Sequence, residues 1–168
     1  MITVTIMGVV LGLAVPAVTR IQLRAKNMKA KADMEMIAAA VYKQLSDTGK
    51  WPGGIVKTAW GGYEYSLAHG YSGMASNPVV GSATLFGNNW RGPYLEKLPT
   101  DPWGTAYWFD PDYCIYRPNG SLIRFTKAIV CWGPNRRGRT GVPPANGKCI
   151  WGGLNDDGDN IIVELKPR

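Results

Sequence analysis

The first 48 residues have the hydrophobic pattern of one long helix with two different halves. Residues 1–19 contain no charged side chain, and Arg20 is the first. Further on, apolar residues recur at steps of three and four and form one stripe: Ala30, Met34, Ile37, Val41 and Leu45. This spacing predicts that residues 20–48 form an amphipathic helix with one buried face. Polar residues are expected off that face, namely Lys29, Asp33, Lys43 and Gln44.

The end of this helix is marked by Gly49 and Pro52, because glycine favours the left-handed terminating residue and proline cannot continue a helix. A 48-residue helix is about 70 Å long, more than a small head can cover. Its first half is therefore expected to be buried in lipid or against copies of itself.

The apolar half, residues 1–19, is at the lower limit of length for a helix that spans a bilayer. A signal-peptide core is disfavoured, since no basic region precedes it and no cleavage pattern follows it. Gly8 and Gly12 have a spacing that lets helices approach closely. Pro16 removes one backbone donor, so we predict local loss of helical hydrogen bonding there.

After Pro52 the pattern changes to that of a small β-rich head. Residues 51–104 are rich in glycine and aromatic side chains and are predicted to form an irregular loop region, with a short helix or turn near 63–69. Residues 105–168 are predicted to form an antiparallel sheet and a C-terminal loop, because residues 105–132 alternate with turn signals, residues 133–149 are a basic Gly/Pro loop and a final strand follows. The sheet is expected to pack on the second half of the helix. Its strands are Thr105–Phe109, Tyr113–Tyr116, Leu122–Phe125, Ala128–Trp132 and Asn160–Leu165, with a hairpin turn at 118–120. The predicted fold class is α+β, with residues 20–50 as the helix of the head.

Composition limits the possible functions. The net charge is +7, but the basic residues lie after the apolar run and in an Arg136–Arg139 cluster without a recognisable stacked-aromatic module, so nucleic-acid binding is disfavoured. The one histidine, His69, is far in sequence from the cysteines, and no Ser or Cys has an evident base partner. Zinc binding and catalysis are therefore disfavoured, and no catalytic residue is assigned.

The three cysteines are Cys114, Cys131 and Cys149. In an exported head, one disulfide with one cysteine left over is expected. The preferred pair is Cys131–Cys149, because these two residues flank a proline-containing loop, and Cys114–Cys131 is the competing pair. Closing a loop of that size contributes on the order of 3 kcal/mol.

Several motifs resemble the type IV pilin-like family, above all the major pseudopilin of type II secretion systems. The stem GVVLGLAVPAVTRIQLRAKNMKAKAD resembles the family's apolar-then-amphipathic helix. The segments WRGPYL at 90–95 and LPTDPWGTAY at 98–107 are similar to its GPYL…LPxDPWGxxY signature, and the acidic run at 155–161 is similar to its C-terminal tail.

The resemblance implies a structural subunit that polymerises through its N-terminal helix. The implied assembly stem comprises Ile6, Val9, Val10, Leu11, Leu13, Val15 and Pro16. Asp101, Pro102, Trp103 and Gly104 are expected to form a structural turn, in which Pro102 fixes φ, Gly104 permits a positive φ and Trp103 anchors the turn on the helix. Implied partners are copies of the chain, other pilins, the assembly platform and the inner membrane before assembly.

Two departures from the family concern its functional residues. The family's early Glu has no counterpart, and Thr5 stands there if Met1 is the mature start; either the first turns are absent from this sequence or the assembly contact differs. In the family's calcium loop, Cys131 replaces a Ser. Thiol sulfur is a poor calcium ligand, so Asp156, Asp157 and Asp159 with loop carbonyls are the candidate calcium ligands, with a plain acidic turn as the alternative. A Cys131–Cys149 disulfide is predicted to take over part of the calcium's role.

Two structural functions remain open at this point. One is the major subunit of a secretion pseudopilus in the periplasm. The other is a subunit of a true type IV pilus, a long extracellular filament for adhesion or motility. The DPWG segment favours the first. The additional segments at 53–89 and 110–128, which exceed the compact family pattern, favour the second because they can cover the outer surface of a permanent filament.

Overall fold

A computed structural model describes residues 2–59, 62, 64–116, 122–136 and 160–166. The side chains of residues 2–17, 116, 122 and 123 are outside this description. The architecture is a long N-terminal helix with antiparallel β-sheets, which confirms the predicted α+β class.

The helix α1 runs from Ile2 to Thr48 without interruption, as the sequence predicts. Gly49 ends it with φ +68° and donates its N–H to the carbonyl of Leu45 at 2.8 Å, the expected left-handed cap. The helical assignment passes through Pro16. The predicted loosening at Pro16 concerns the assembled state and stays a prediction.

All five residues of the predicted apolar stripe are buried, four of them completely. They pack in one core cluster with residues from the sheet, including Phe109, Ile129 and Leu165. Trp51 completes this core and stacks on Phe109 with ring centroids 6.0 Å apart. The stripe therefore fixes which side of α1 carries the head.

The main sheet has the strand order β3–β6–β7–β8, all antiparallel. These strands are β3 Tyr65–Ser66, β6 Trp108–Tyr116, β7 Leu122–Cys131 and β8 Ile161–Leu165. β7 and β8 contact α1. Along β7, Ile129 and Cys131 belong to the core cluster on the helix side, whereas Ala128 and Val130 pack in a second cluster. The alternation follows the two faces of a strand.

Two strands are longer than predicted. The stretch around Pro111 was expected to separate two strands, but β6 continues through it with a register shift between Asp110 and Tyr113. Proline within a sheet is tolerated at such irregular positions. In β7, the polar Lys127 stays in the strand because its ammonium group donates to the carbonyl of Ala59 at 3.0 Å. The predicted turn at 118–120 lies outside the described residues.

The region between α1 and β6 is more ordered than an irregular loop. It contains two short hairpins, β1 Lys50–Trp51 with β2 Ile55–Val56 and β4 Val79–Val80 with β5 Ala83–Thr84. It also contains short 3₁₀ turns at Pro52–Gly54, Gly70–Ser72 and Gly87–Asn89. Within the predicted turn at 63–69, the structure adds β3 to the edge of the main sheet, and the turn follows it, closed by the N–H of His69 on the carbonyl of Ser66 at 2.9 Å.

Candidate assembly helix and the turn that fixes the head

The face of α1 opposite the head carries exposed apolar side chains. Val18, Ile21, Met28 and Met36 are all largely exposed, Met28 to 72%. At about 100° per residue, these four positions fall on one side of the helix, roughly opposite the buried stripe. We call them the free face of α1. Exposed apolar side chains aligned on one side of a helix are suited to packing against another helix.

The predicted assembly stem lies N-terminal to this face. The backbone from Ile2 onward is helical, but the side chains of Ile6, Val9, Val10, Leu11, Leu13, Val15 and Pro16 lie outside the described residues. Within the part of the chain that is described, no helix is long and apolar enough to cross a membrane.

The predicted turn at 101–104 is present, closed by a hydrogen bond from the N–H of Gly104 to the carbonyl of Asp101 at 2.9 Å. Gly104 has φ +87°, the conformation for which glycine was expected. Trp103 is buried in the core cluster that contains the α1 stripe, as predicted for an anchor. The turn thus joins the loop region to the helix-facing core.

Asp101 is only 3% exposed, and its carboxylate is the central hydrogen-bond acceptor, the hub, of this turn. Its Oδ1 accepts the N–H groups of Trp103 at 3.0 Å and Thr105 at 2.8 Å. Its Oδ2 accepts the hydroxyl of Thr105 and the thiol of Cys131, with a sulfur–oxygen distance of 3.2 Å. A buried carboxylate needs such donors, and here they tie the turn to the end of β7.

A second polar contact ties the segment after the turn to α1. Tyr107 donates its hydroxyl to Oδ2 of Asp33 at 3.0 Å, and Lys29 forms a salt bridge with the same oxygen at 2.7 Å. Burial and then the Asp33 carboxylate raise the pKa of Tyr107 above its ordinary value, so the phenol stays protonated and donates. Asp33 was expected off the stripe, and it acts at the border of the buried face.

The predicted disulfide between Cys131 and Cys149 is wrong. Cys131 is a free, buried thiol, and Cys114 is disulfide-bonded, so the competing pair Cys114–Cys131 is wrong as well. Cys149, the only other cysteine of the chain, lies outside the described residues. Burial, followed by the nearby Asp101 carboxylate, raises the pKa of the Cys131 thiol to about 12. Cys131 is therefore a hydrogen-bond donor in the core.

The candidate calcium ligands Asp156, Asp157 and Asp159 lie outside the described residues. Among the residues that are described, no group of three or more His, Cys, Asp or Glu side chains is placed to hold a metal ion. Cys131 donates its thiol to Asp101, and a thiol supplies no oxygen ligand to calcium.

Gln44 was expected to lie off the buried stripe of α1. Gln44 is instead completely buried and donates its amide to the carbonyl of Ser72 at 3.0 Å. Next to it, Gly73 has φ +76°, and a Cβ added there would collide with Gln44 and Phe86. Gln44 therefore connects α1 to the loop region. It lies next to the apolar stripe, and a prediction with a wider stripe would have placed it on the buried face.

His69 has a local structural role. Its Nδ1 accepts the N–H of Tyr71 at 3.3 Å, and the two rings stack with centroids 5.2 Å apart. This arrangement caps the 3₁₀ turn at Gly70–Ser72. The Nδ1 atom of His69 is used in this cap and does not serve as a catalytic base for a nucleophile.

Comparisons with known proteins agree with this geometry. A family model described as "Type II secretion system (T2SS), protein G" matches residues 69–113, which include the Asp101 turn and the first part of β6. The "Type II secretion system core protein G" of Pseudomonas aeruginosa is 32% identical over 108 residues, or 64% of this chain and 65% of that protein. The predicted resemblance to type II secretion pseudopilins is confirmed.

This pseudopilin-like chain spans about 65% of the length of the curated relative that it matches. No solved structure matches the chain. The matched segment, residues 69–113, includes part of the loop region and the turn at Asp101, whereas the strands β7 and β8, which contact α1, lie outside it.

Proposed function

We propose that this chain is a structural subunit that polymerises through α1 into a helical filament of the pseudopilus type. The observation that carries the proposal is the free face of α1, an apolar surface on the side of the helix that the head leaves open. The similarity to a core protein of a type II secretion system supports the pseudopilus as the product.

The length of α1 explains why neighbouring copies are needed. Ala30 is the first buried residue along the described part of the helix, and residues 18–29 are exposed except for the half-buried Asn27. The exposed stretch from residue 18 to Ala30 alone therefore extends about 18 Å beyond the buried part of the helix. Each exposed apolar side chain that leaves water contributes about 1.5–3 kcal/mol. Identical helices that pack side by side with an axial offset bury this surface, and such head-to-tail contacts produce an open helical polymer.

The place of the subunit before assembly follows from residues 1–19. An uncharged apolar segment is suited to the inner membrane, from which the assembly platform and other pilins take the subunit into the filament. The filament is then periplasmic or exposed at the cell surface. Catalysis and nucleic-acid binding form no part of the proposal.

A true type IV pilus is the alternative filament. Both the family match and the curated relative favour the secretion pseudopilus. Electron microscopy of cells distinguishes the two, since micrometre-long extracellular filaments at native expression would support the pilus.

A pair of substitutions tests polymerisation through the free face. Ile21 on α1 and Val79 on the β4–β5 hairpin are both aliphatic and both 64% exposed. Ile21→Asn should abolish filaments in sheared cell fractions, because it places an amide in the packed helical core. Val79→Asn should leave filaments intact. Equal filament yields for the two variants at equal protein levels would contradict the proposal.

Calcium binding by Asp156, Asp157 and Asp159 is a separate proposal that rests on their carboxylates. Calorimetric titration of the full chain with Ca²⁺ should show binding that Asp157→Asn weakens. Absence of a calcium-specific signal would refute it.

A further inference from the structure

Two acidic side chains occupy opposite positions where β3 joins β6. The antiparallel register pairs Tyr65 with Phe109 and Ser66 with Trp108. Continued by one residue, the same register places Glu64 opposite Asp110. Opposed residues of an antiparallel pair lie on the same face, with Cβ atoms about 4.5–5.5 Å apart. Like charges at such positions repel each other and destabilise the pairing.

Each of the two carboxyl groups has one buried oxygen, and Glu64 as a whole is half-buried. Asp110 is 1% exposed, and its Oδ1 accepts the N–H of Asp112 at 2.9 Å. Its Oδ2 is buried and has no hydrogen-bond partner among the described residues, and the same holds for Oε1 of Glu64. A buried ionised carboxylate without donors is strongly unfavourable, whereas a protonated carboxyl is neutral and itself donates a hydrogen bond.

The charges that face the pair come from β6 and β7. Asp112 adds a third carboxyl group, and Lys127 adds a positive charge near Asp112. The Lys127 ammonium also donates to the carbonyl of Ala59 and lies 5.7 Å from the centre of the Trp51 ring. The positive charge of Lys127 therefore compensates one of the three carboxylate charges, and the net charge of the group is negative when all three are ionised.

The raised pKa values of Asp110 and Glu64 agree with this arrangement. Burial, and then the charges of Glu64 and Asp112, raise the pKa of Asp110 to about 9. Burial, and then the charge of Asp112, raise the pKa of Glu64 to about 7. At neutral pH, Asp110 is therefore protonated and Glu64 is near the midpoint of its titration.

We propose that the opposed carboxyl groups of Glu64 and Asp110 act as a pH-sensitive clamp that keeps the edge strand β3 on β6 as long as they are protonated. β3 contains two residues and forms the edge of the sheet, so its own ladder is short, and the next residue, Leu67, adds a buried side chain and a hydrogen bond to the carbonyl of Tyr107. Loss of the protons leaves two negative charges opposite each other, which repel across the ladder and lower the stability of the segment 64–67. The clamp is independent of polymerisation through α1.

The direction of the pH effect follows from the raised acidities. In the unfolded chain both groups titrate near their ordinary values of 4.5 for Glu64 and 3.8 for Asp110. Protonation therefore stabilises the closed strand fully below about pH 4. This stabilisation is lost as pH rises through about 7 for Glu64 and about 9 for Asp110. Alkaline conditions open the clamp.

Hydrogen exchange of the full chain in nonionic detergent measures the opening. The reporter is the peptide with the amide of Leu67, which donates to the carbonyl of Tyr107 at 2.9 Å. After correction for the intrinsic rate, its protection in the wild type should fall at least about tenfold between pH 6 and pH 9, since one proton changes the equilibrium tenfold per pH unit. Protection in the buried stripe of α1 should stay constant.

Substitutions assign this fall to the pair. Asp110→Asn keeps the oxygen that accepts from Asp112 and removes the charge, so the fall should shrink to the contribution of Glu64 alone. Glu64→Gln, at a less buried position, should in turn leave only the contribution of Asp110. Glu96→Gln, at an exposed glutamate, should show the wild-type fall. A pH-independent wild type, or a fall in both Asp110→Asn and Glu64→Gln that is as large as in the wild type, overturns the proposal.

Infrared spectroscopy detects the proton itself. The wild type at pH 7 should show absorption of protonated carboxyl groups that Asp110→Asn reduces and Glu96→Gln leaves unchanged. A spectrum without protonated carboxyl at pH 7 also overturns the clamp.

Discussion

Removal of the Asp101 carboxylate is the most informative perturbation of the head. In Asp101→Ala, the N–H groups of Trp103 and Thr105 lose their acceptor, as do the Thr105 hydroxyl and the Cys131 thiol. A hydrogen bond to a charged acceptor contributes about 1.5–3 kcal/mol, and the two amide bonds alone give about 3–6 kcal/mol. Since such terms are not additive, we expect a loss of about 3–5 kcal/mol, similar to that for breaking a buried charge pair.

Asp101→Asn is the matched control for this loss. Asparagine keeps one carbonyl oxygen at the position of Oδ1 for the two N–H donors and replaces Oδ2 by an amide donor. The expected cost is therefore smaller, about 1–2 kcal/mol. Thr105→Val removes only the hydroxyl and should cost about 1 kcal/mol.

The assay is urea unfolding of the full chain in nonionic detergent, followed by tryptophan fluorescence, because Trp51 and Trp103 are both buried in the core. Hydrogen exchange in the segment 101–107 localises the effect. If Asp101→Ala lowers the free energy of unfolding by less than about 1 kcal/mol, or if Asp101→Asn costs as much as Asp101→Ala, the carboxylate is not the hub of the turn.

Two further predictions concern a close approach and the cysteines. Gly73→Ala should destabilise the chain by more than about 2 kcal/mol because of the predicted collision. Gly81→Ala is the control: Gly81 has φ +65° and open space around it, so only about 1 kcal/mol of backbone strain is expected. Similar urea midpoints for the two variants would refute the predicted collision. Peptide mapping without reduction should find Cys131 alkylated only after unfolding and Cys114 in a disulfide, and Cys114→Ser should cost about 2–5 kcal/mol. Alkylation of Cys114 in the unfolded, non-reduced chain would contradict this assignment.

The helix and its buried face could be predicted from sequence because periodicity reports burial directly. The stripe from Ala30 to Leu45 is buried throughout, and Gly49 ends the helix as expected. Gln44 was misplaced because its polarity suggested exposure. Its burial depends on an acceptor, the carbonyl of Ser72, that only the folded loop region supplies.

The candidate site was predicted in part. The turn at 101–104 is encoded locally by proline and glycine, so the sequence reveals it. The wrong disulfide came from the proximity of Cys131 to a loop, whereas alternation along β7 places Cys131 with Ile129 on the helix-facing side. The opposed Glu64 and Asp110 escaped prediction because β3 is two residues long and its register with β6 has no local signal.

A reconstruction of the assembled filament by electron cryomicroscopy tests the central claim most directly. The account predicts a helical core in which Val18, Ile21, Met28 and Met36 of each subunit contact neighbouring helices, with the β4–β5 hairpin on the outside. A filament in which this face of α1 is exposed to solvent, or in which the heads alone make the contacts, would contradict it.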